Sequence, residues 1–310
     1  MPVSPVRGAS DTPLLGVVLA GDVVGSLKVM GSVVLPLILL LMSLIAVGAE
    51  SQTFDGPDTV VVRSGTLQLR ALLWRPNGKG PFPAVLFNHG RGLTPQEPGR
   101  VEGITNLARV FANHGYVFMA LFRRGEDLSA DQGVFIGNLL ERERVANGDE
   151  AATRLQVQLL QSDQLEVALA GLAFLQTAAN VDPRRVAVVG HSFGGSLSLL
   201  VAERDSSLRA VVNFAGAAGS WEGSPDLRAR LLTAVGRLTA PVLFVYTTND
   251  FSVAPGTVLD AEMARLSKVH RLELFPPFGK TAEEGHWFVY LGVPHWERDV
   301  LSFLDEHMNP

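Results

Sequence analysis

The chain has 310 residues, of which 47% are hydrophobic and 18% are charged, so its composition is that of a globular protein rather than a disordered or fibrous one. Its 26 basic and 31 acidic residues give a net charge of −5, which argues against a general nucleic-acid-binding protein, since such a protein needs a basic face. The absence of cysteine excludes disulfide bonds, cysteine-ligated zinc and a cysteine nucleophile.

An uncharged apolar stretch, SVVLPLILLLMSLIAVGA, occupies residues 32–49. Lys28 stands before it, and Val47-Gly48-Ala49 supplies small residues of the kind a signal peptidase recognises. These features predict that residues 1–49 are a cleaved secretory signal peptide, or alternatively a retained membrane anchor that would associate the protein with a membrane and face it outside. Residues 50–310 are then predicted to form one exported domain, periplasmic or secreted.

From residue 59 onward, short apolar runs alternate with helical patterns. An antiparallel hairpin is predicted at residues 59–63 and 67–75. The later elements are predicted as strands at 83–88, 116–122, 185–190, 208–214, 241–247 and 271–275, and as helices at 103–114, 149–179, 196–203, 257–267 and 296–307. Because strands and helices alternate after the hairpin, the chain is predicted to have an α/β fold, a mostly parallel sheet with helices on both faces.

Two segments lack a clear period, and both are predicted to be irregular. They are residues 126–148, interpreted as a lid segment, and residues 217–240. In open α/β sheets, ligands bind beyond the carboxyl ends of the strands, and such loops decide which ligand fits. The sequence therefore predicts a ligand site under these segments, without identifying the ligand.

The sequence Gly190-His191-Ser192-Phe193-Gly194 matches the G-x-S-x-G pattern and lies between a predicted buried strand and a predicted helix. This context is that of a nucleophile elbow, a sharp turn that lifts a serine hydroxyl above the sheet at a helix N-terminus. We therefore predict that Ser192 is a nucleophile rather than part of an ordinary turn.

A serine hydroxyl needs a base to remove its proton, and in this arrangement an acid and then a histidine follow the serine along the chain. Asp250, which follows the strand at 241–247, is the predicted acid; Asp260 is the alternative, predicted to lie within a helix. His286, after the last strand, is the predicted base, with His295 as the alternative near the start of the final helix.

The tetrahedral intermediate of acyl transfer needs amide donors for its oxyanion. The backbone N–H of Phe193 is one predicted donor, and the N–H of Arg91, in the loop after the strand at 83–88, is the other. His89 is predicted to hold that loop. Arg123 and Arg124 are open to two interpretations: they grip a substrate carboxylate, or they brace a loop.

No cofactor or metal is predicted. Gly279-Lys280-Thr281 resembles part of a phosphate-binding loop, but Leu274 occupies the position where that motif needs glycine. The seven histidines show no ligand spacing such as HExxH. Trp221, Trp287 and Trp296 are interpreted either as an apolar acyl pocket or as packing.

The span from about residue 66 to residue 307 resembles the α/β-hydrolase superfamily, and within it the dienelactone hydrolase-like group. The motifs that carry the resemblance are Pro81-Phe82-Pro83, His89-Gly90, Arg123-Arg124-Gly125, VDPRRV at 181–186, the elbow at 190–195 and Gly285-His286. The resemblance implies an eight-stranded sheet, a Ser-His-Asp triad and hydrolysis through an acyl-enzyme. True dienelactone hydrolases have a cysteine nucleophile where this chain has Ser192, so their substrate is not carried over.

These observations together predict an exported serine hydrolase that cleaves a small carboxylic ester and needs neither a cofactor nor nucleic acid. Two alternatives remain: a peptidase of the prolyl-oligopeptidase type, and a member of the fold that binds a ligand without turnover. The sequence does not determine the acyl-chain length or the oligomeric state.

Overall fold

A computed structural model describes residues 56–309, and its centre is one eight-stranded sheet. The strands are β1 (Asp58–Ser64), β2 (Leu67–Trp74), β3 (Phe82–Asn88), β4 (Val117–Leu121), β5 (Val181–His191), β6 (Ala210–Phe214), β7 (Val242–Thr247) and β8 (His270–Phe275). Their spatial order is β1-β2-β4-β3-β5-β6-β7-β8. The predicted fold class and strand number are therefore confirmed.

The antiparallel part of the sheet is confined to its first edge. β1 pairs with β2, and β2 with β4, in antiparallel register, whereas every later pair is parallel. The β1–β2 turn contains Gly65 at φ 57°, a left-handed conformation that glycine adopts without steric cost. The parallel strands align their carboxyl ends at one edge, and this is where the loops after β3, β5 and β7 meet.

Ten α-helices are present within residues 56–309. They are α1 (Arg100–Asn113), α2 (Ile136–Asn147), α3 (Asp149–Gln161), α4 (Asp163–Gln176), α5 (Phe193–Arg204), α6 (Pro225–Arg237), α7 (Ala254–Arg265), α8 (Ala282–His286), α9 (Phe288–Leu291) and α10 (Val293–Met308). None of them combines the length and the apolarity that a membrane span requires. The predicted signal or anchor at residues 1–49 lies outside the described residues.

Helices cover both faces of the sheet, which explains why the central strands are continuous apolar runs. In β5, Val186 and Val188 pack on the face covered by α4 to α7, while Ala187 and Val189 pack on the face covered by α1 and α10. Both sets are inaccessible to solvent. Alternate residues therefore serve two separate cores.

The predicted secondary structure of three segments was wrong, two of them between β4 and β5 and the third between β6 and β7. The helix predicted at 149–179 is divided into α3 and α4 at Ser162, whose backbone (φ −120°, ψ −102°) is not helical. Residues 126–148 contain a short 3₁₀ helix (Asp127–Ser129) and α2 instead of an irregular chain. The assignment of residues 126–148 as a lid remains a prediction.

The segment 217–240, predicted to be irregular, contains α6. Its start has a recognisable local signal: Ser224 accepts a hydrogen bond from the Leu227 N–H at 3.3 Å, and Pro225 occupies the first turn. A serine followed by proline ahead of an apolar period is a typical helix start, so the sequence did contain the information.

Candidate active site

Ser192 lies at the junction of β5 and α5 with φ 55° and ψ −119°, a backbone conformation that is uncommon for a residue with a side chain. The flanking glycines allow this turn because there is no room for a Cβ. A Cβ on Gly190 would lie 2.2 Å from the Gly194 carbonyl oxygen, and one on Gly194 would lie 1.9 Å from the Asn88 carbonyl oxygen. Both glycines of the G-x-S-x-G pattern are thus required by close packing, Gly190 against the first turn of α5 and Gly194 against the end of β3.

The structure brings the predicted nucleophile, base and acid together. The Ser192 Oγ lies 2.9 Å from His286 Nε2, and His286 Nδ1 lies 2.8 Å from Asp250 Oδ1. Asp250 follows β7 directly, and its side chain is completely buried. Since a carboxylate only accepts, the Nδ1–H of His286 donates to Asp250, which leaves Nε2 free to accept the serine proton.

The alternative acid and base have other partners. Asp260 lies in α7, as predicted, and its Oδ1 is 2.6 Å from Nδ1 of His270. His295 lies in the first turn of α10, where its ring packs against the rings of Phe278 and Phe288. Neither side chain takes part in the hydrogen-bonded chain that begins at Ser192.

The two predicted oxyanion donors both line the cleft that contains Ser192. Within residues 56–309, neither the Arg91 N–H nor the Phe193 N–H has a hydrogen-bond acceptor. A Cβ on Gly90 would lie only 3.4 Å from the Ser192 Cβ, so the loop after β3 passes directly beside the nucleophile. Two residues with unpaired amides therefore border the cleft beside Ser192.

His191, the residue before Ser192, supports the candidate base. Its Nε2 lies 2.8 Å from the His286 carbonyl oxygen, and the two ring centroids are 4.8 Å apart. Burial, with the nearby His286 adding to it, holds the pKa of His191 well below its usual value. The ring is therefore neutral, and its Nε2–H donates to the carbonyl.

Arg123 resolves the alternatives left open by the sequence, because it is 2% exposed and braces a loop. Its Nη1 donates to the His89 carbonyl oxygen at 2.6 Å, and its Nη2 donates to the Gly90 carbonyl oxygen at 3.0 Å. Arg124, in contrast, pairs near the surface with Asp163 at 2.5 Å. Neither arginine lines the cleft.

Arg100 and Glu126, which were not among the predicted site residues, hold Arg123 in place. Glu126 is fully buried, and its Oε1 lies 3.0 Å from Arg123 Nη2. Arg100 Nη1 lies 2.6 Å from Glu126 Oε2 and 2.9 Å from an Asp127 carboxylate oxygen. The sequence feature that could have identified Glu126 is its position three residues after an arginine at the end of a strand.

The cleft beside Ser192 has a volume of about 270 Å³. Its apolar lining residues are Leu93, Val157, Leu160, Phe193, Ala217, Leu227, Phe251, Trp287 and Tyr290. Val157 and Leu160 come from α3, whereas no residue of 126–148 is part of the lining. Of the three tryptophans considered, Trp287 lines the cleft, while Trp221 and Trp296 are buried in the two cores.

Within residues 56–309, no group of three or more histidine, aspartate or glutamate side chains is arranged to hold a metal ion. His89, beside the candidate oxyanion loop, is completely buried, and its Nδ1 lies 2.8 Å from the Gly90 carbonyl oxygen. Burial, together with the charges of Arg123 and Arg100, holds the pKa of His89 well below its usual value. His89 is thus neutral, and its Nδ1 contacts both the Gly90 carbonyl oxygen and, at 3.1 Å, the Arg100 Nη1 donor.

The eight-stranded sheet with a serine at the β5–α5 elbow defines this chain as a protein of the α/β-hydrolase fold. Comparison with known proteins identifies the family within this fold. The sequence model of the dienelactone hydrolase family matches residues 69–285, and the chain belongs to that family.

Three proteins illustrate the similarity. The quorum-quenching protein AidA of Acinetobacter baumannii (strain MDR-ZJ06) is 28% identical over 159 residues, which are 51% of this chain and 43% of that protein. An acylaminoacyl peptidase of Pyrococcus horikoshii is 17% identical with a TM-score of 0.59, over 87% of this chain and 43% of the peptidase. A dienelactone hydrolase of Anabaena variabilis is 20% identical with a TM-score of 0.53, over 82% of this chain and 97% of the enzyme.

This chain therefore spans less than half the length of AidA and of the peptidase. Its alignment with the Anabaena enzyme covers nearly all of that protein. At these identities, the likeness to the solved structures shows the fold alone, and membership of a hydrolase family is what the comparisons add to it.

Proposed function

We propose that this protein is a serine hydrolase that cleaves carboxylic esters through an acyl-enzyme. The observation that carries the proposal is the continuous hydrogen-bonded chain from Ser192 Oγ through His286 to the buried Asp250, with contacts of 2.9 and 2.8 Å. An adjacent base and an orienting acid are what a serine needs in order to attack a carbonyl carbon.

In the proposed mechanism, Ser192 Oγ attacks the ester carbonyl while its proton passes to His286 Nε2. The carbonyl electron pair moves to the oxygen, and the amides of Phe193 and Arg91 donate to this oxyanion. His286 then gives the proton to the departing alcohol, leaving the acyl group on Ser192. Water, deprotonated by His286, repeats the attack and releases the acid.

The cleft supports an apolar acyl group as the part of the substrate held beside Ser192. Its lining is mainly aliphatic and aromatic, while Arg91, Glu97, Arg100 and Glu283 supply charged groups. We propose a small ester whose acyl chain lies against α3, where Val157 and Leu160 form the wall. The family includes lactone hydrolases by name, so lactones, which are internal esters, belong in the substrate panel.

The first experiment is labelling with a fluorophosphonate probe, in which Ser192 Oγ displaces a leaving group from phosphorus. We expect wild type to be labelled, Ser192→Ala to show no labelling, and His286→Ala to react at least about 10³-fold more slowly. His295→Ala is the matched control and keeps the wild-type rate. Labelling of folded Ser192→Ala would contradict the proposed nucleophile.

A substrate panel separates the proposed activity from its alternatives. Esters of graded acyl length, lactones and peptide amides are compared by kcat/KM, and turnover of esters with little turnover of amides is expected. The reverse preference would favour a peptidase of the prolyl-oligopeptidase type. A folded wild-type protein that neither reacts with the probe nor turns over any member of the panel would favour a ligand-binding protein without catalysis.

We further propose that residues 1–49 direct export, on the strength of the uncharged stretch at 32–49 and the small residues that end it. N-terminal sequencing of the protein recovered from the cell envelope or the medium tests this proposal. A mature N-terminus near Glu50 is expected for a cleaved signal. An intact leader in the membrane fraction would indicate an anchor, and an intact protein in the cytoplasm would contradict export.

A further inference from the structure

Arg123 contacts a peptide unit that matters for the proposed chemistry. Its Nη2 donates to the Gly90 carbonyl oxygen at 3.0 Å. That carbonyl belongs to the same planar peptide group as the Arg91 N–H, one of the two candidate oxyanion donors. In a trans peptide the C=O and N–H bonds point in opposite directions, so a group that holds the oxygen on one side also sets the direction of the N–H on the other.

The same guanidinium also reaches the second candidate donor. The Arg123 Cζ lies 5.3 Å from the centroid of the Phe193 ring, a cation–π distance. Phe193 carries the other oxyanion amide at the first position of α5. Arg123 thus contacts the peptide unit that carries the Arg91 N–H and the ring of the residue that carries the second candidate amide, although its own side chain does not line the cleft.

The position of Arg123 is itself set by buried groups. Its Nη2 lies 3.0 Å from Glu126 Oε1, and the other carboxylate oxygen lies 2.6 Å from Arg100 Nη1. Arg123, Glu126 and Arg100 are all at most 4% exposed, so water has little access to these contacts. Charge-assisted hydrogen bonds in such surroundings are strong and directional, and breaking one leaves a buried charge unpaired.

We propose that Arg123 is a positioning residue for the oxyanion hole. It aims the Arg91 N–H by holding the Gly90 carbonyl, increases the polarity of that N–H by withdrawing electron density from the same amide, and keeps Phe193 in register with it. This inference rests on the proposed function. It predicts an effect on the transition state, where the oxyanion exists, and little effect on binding of the ground-state ester.

The main test is Arg123→Lys, which keeps the charge but cannot form the two-pronged contact with the loop. We expect kcat to fall by about 10- to 100-fold while KM stays within about twofold, a smaller loss than the 10²–10³-fold that follows removal of a donor. Arg124→Lys is the matched control, since this neighbouring arginine pairs with Asp163 away from the cleft. Its kcat should equal that of wild type.

A trifluoromethyl ketone distinguishes positioning from a general structural effect. Ser192 Oγ adds to the ketone carbon, its proton moves to His286, and the carbonyl electron pair becomes an oxyanion in the proposed hole. The affinity of Arg123→Lys for the ketone should fall by the same factor as kcat/KM. An unchanged ketone affinity alongside a reduced kcat would overturn the positioning role.

If Arg123→Lys does not fold, Glu126→Gln provides the second variant, since glutamine keeps the shape of the side chain but removes the negative charge that pairs with Arg123. It should lower kcat and ketone affinity in parallel, with KM little changed. Wild-type kcat in either folded variant overturns the inference while the proposed function stands. Failure of wild type itself to react with the probe, the esters or the ketone would refute the proposed function instead.

Discussion

At the scale of single residues, the candidate site depends on glycines whose surroundings leave no room for a Cβ atom. Gly90, Gly190 and Gly194 surround Ser192, and each is approached closely by another part of the chain. These contacts allow β3, β5 and α5 to come close enough for Arg91 and Phe193 to line the same cleft. The chemistry of the elbow is thus a consequence of packing at the backbone level.

Gly194→Ala should be among the most damaging small substitutions in the protein. The new methyl group would lie 1.9 Å from the Asn88 carbonyl oxygen, so β3 or α5 must move, at a cost of about 1–3 kcal/mol in the free energy of unfolding. Esterase activity should fall sharply because the movement displaces Ser192. Urea unfolding and kcat/KM measure the two effects.

Gly236→Ala is the control for that variant, since it lies in α6 with nothing within 4 Å of the added Cβ. Its stability should be unchanged or slightly higher, because alanine favours a helix over glycine. Equal stability of the two variants would contradict the packing argument for the elbow.

At the scale of elements, α3 and α6 show how connecting segments become part of a site. Both helices connect strands along the chain, α3 between β4 and β5 and α6 between β6 and β7. Both place apolar residues in the cleft: Val157 and Leu160 from α3, and Leu227 from α6. Substrate choice was predicted to depend on the segments 126–148 and 217–240. The cleft lining comes from the second of these and from α3, so the wall of the cleft is helical.

Leu160→Ala should shift substrate preference toward longer acyl chains, because it enlarges the cleft on the α3 side. A cost in the free energy of unfolding of about 2–5 kcal/mol is expected, since Leu160 is 1% exposed. The measurement is the ratio of kcat/KM for a long-chain ester to that for a short-chain ester.

Leu165→Ala is a matched control, since Leu165 is equally buried in α4 but does not line the cleft. Leu165→Ala should lower the free energy of unfolding by a similar amount and keep the wild-type ratio of kcat/KM for long-chain and short-chain esters. A parallel change of the ratio in both variants would mean that destabilisation, and not cleft shape, controls the preference.

At the scale of the whole molecule, two buried histidines connect the site to the pH dependence of stability. His89 and His191 each have a pKa well below the ordinary value of 6.5, mainly because of burial. Below pH 6.5 the unfolded chain therefore binds protons that the folded chain excludes. The free energy of unfolding should be level above about pH 6.5 and fall as the pH decreases below it.

His89→Asn tests this dependence, because asparagine keeps an N–H donor near the Nδ1 position and has no titrating group. One fewer proton is then taken up on unfolding, which corresponds to about 1.4 kcal/mol less loss of stability per pH unit below 6.5. Urea unfolding at pH 7.5 and pH 5.5 gives the difference for wild type and variant. An identical decrease in both would show that His89 does not contribute.

Much of the fold could be predicted from the sequence because its signals are local. The eight strands and their order were predicted correctly, whereas α2 and α6 were predicted to be irregular and α3 and α4 were predicted to be one helix. Ser162 interrupts a continuous apolar period without glycine or proline, so the division between α3 and α4 leaves no strong signal. The start of α6 at Ser224-Pro225 did leave a signal, but the polar residues around it obscured the apolar period.

The amino-acid sequence was sufficient for the α/β class, the elbow at Ser192 and the order of serine, acid and histidine that makes Asp250 and His286 candidates, because each of these follows from local pattern or from order along the chain. Tertiary contacts were needed to show that His286 contacts Ser192 while His295 packs elsewhere, and that Arg123 hydrogen-bonds to the loop beside the nucleophile. The partners of Arg123 come from three separate segments, His89-Gly90, Glu126 and Phe193, the last of them 70 residues away in the chain. Contacts of that kind arise when the sheet brings distant strand ends together, and local sequence patterns do not predict them.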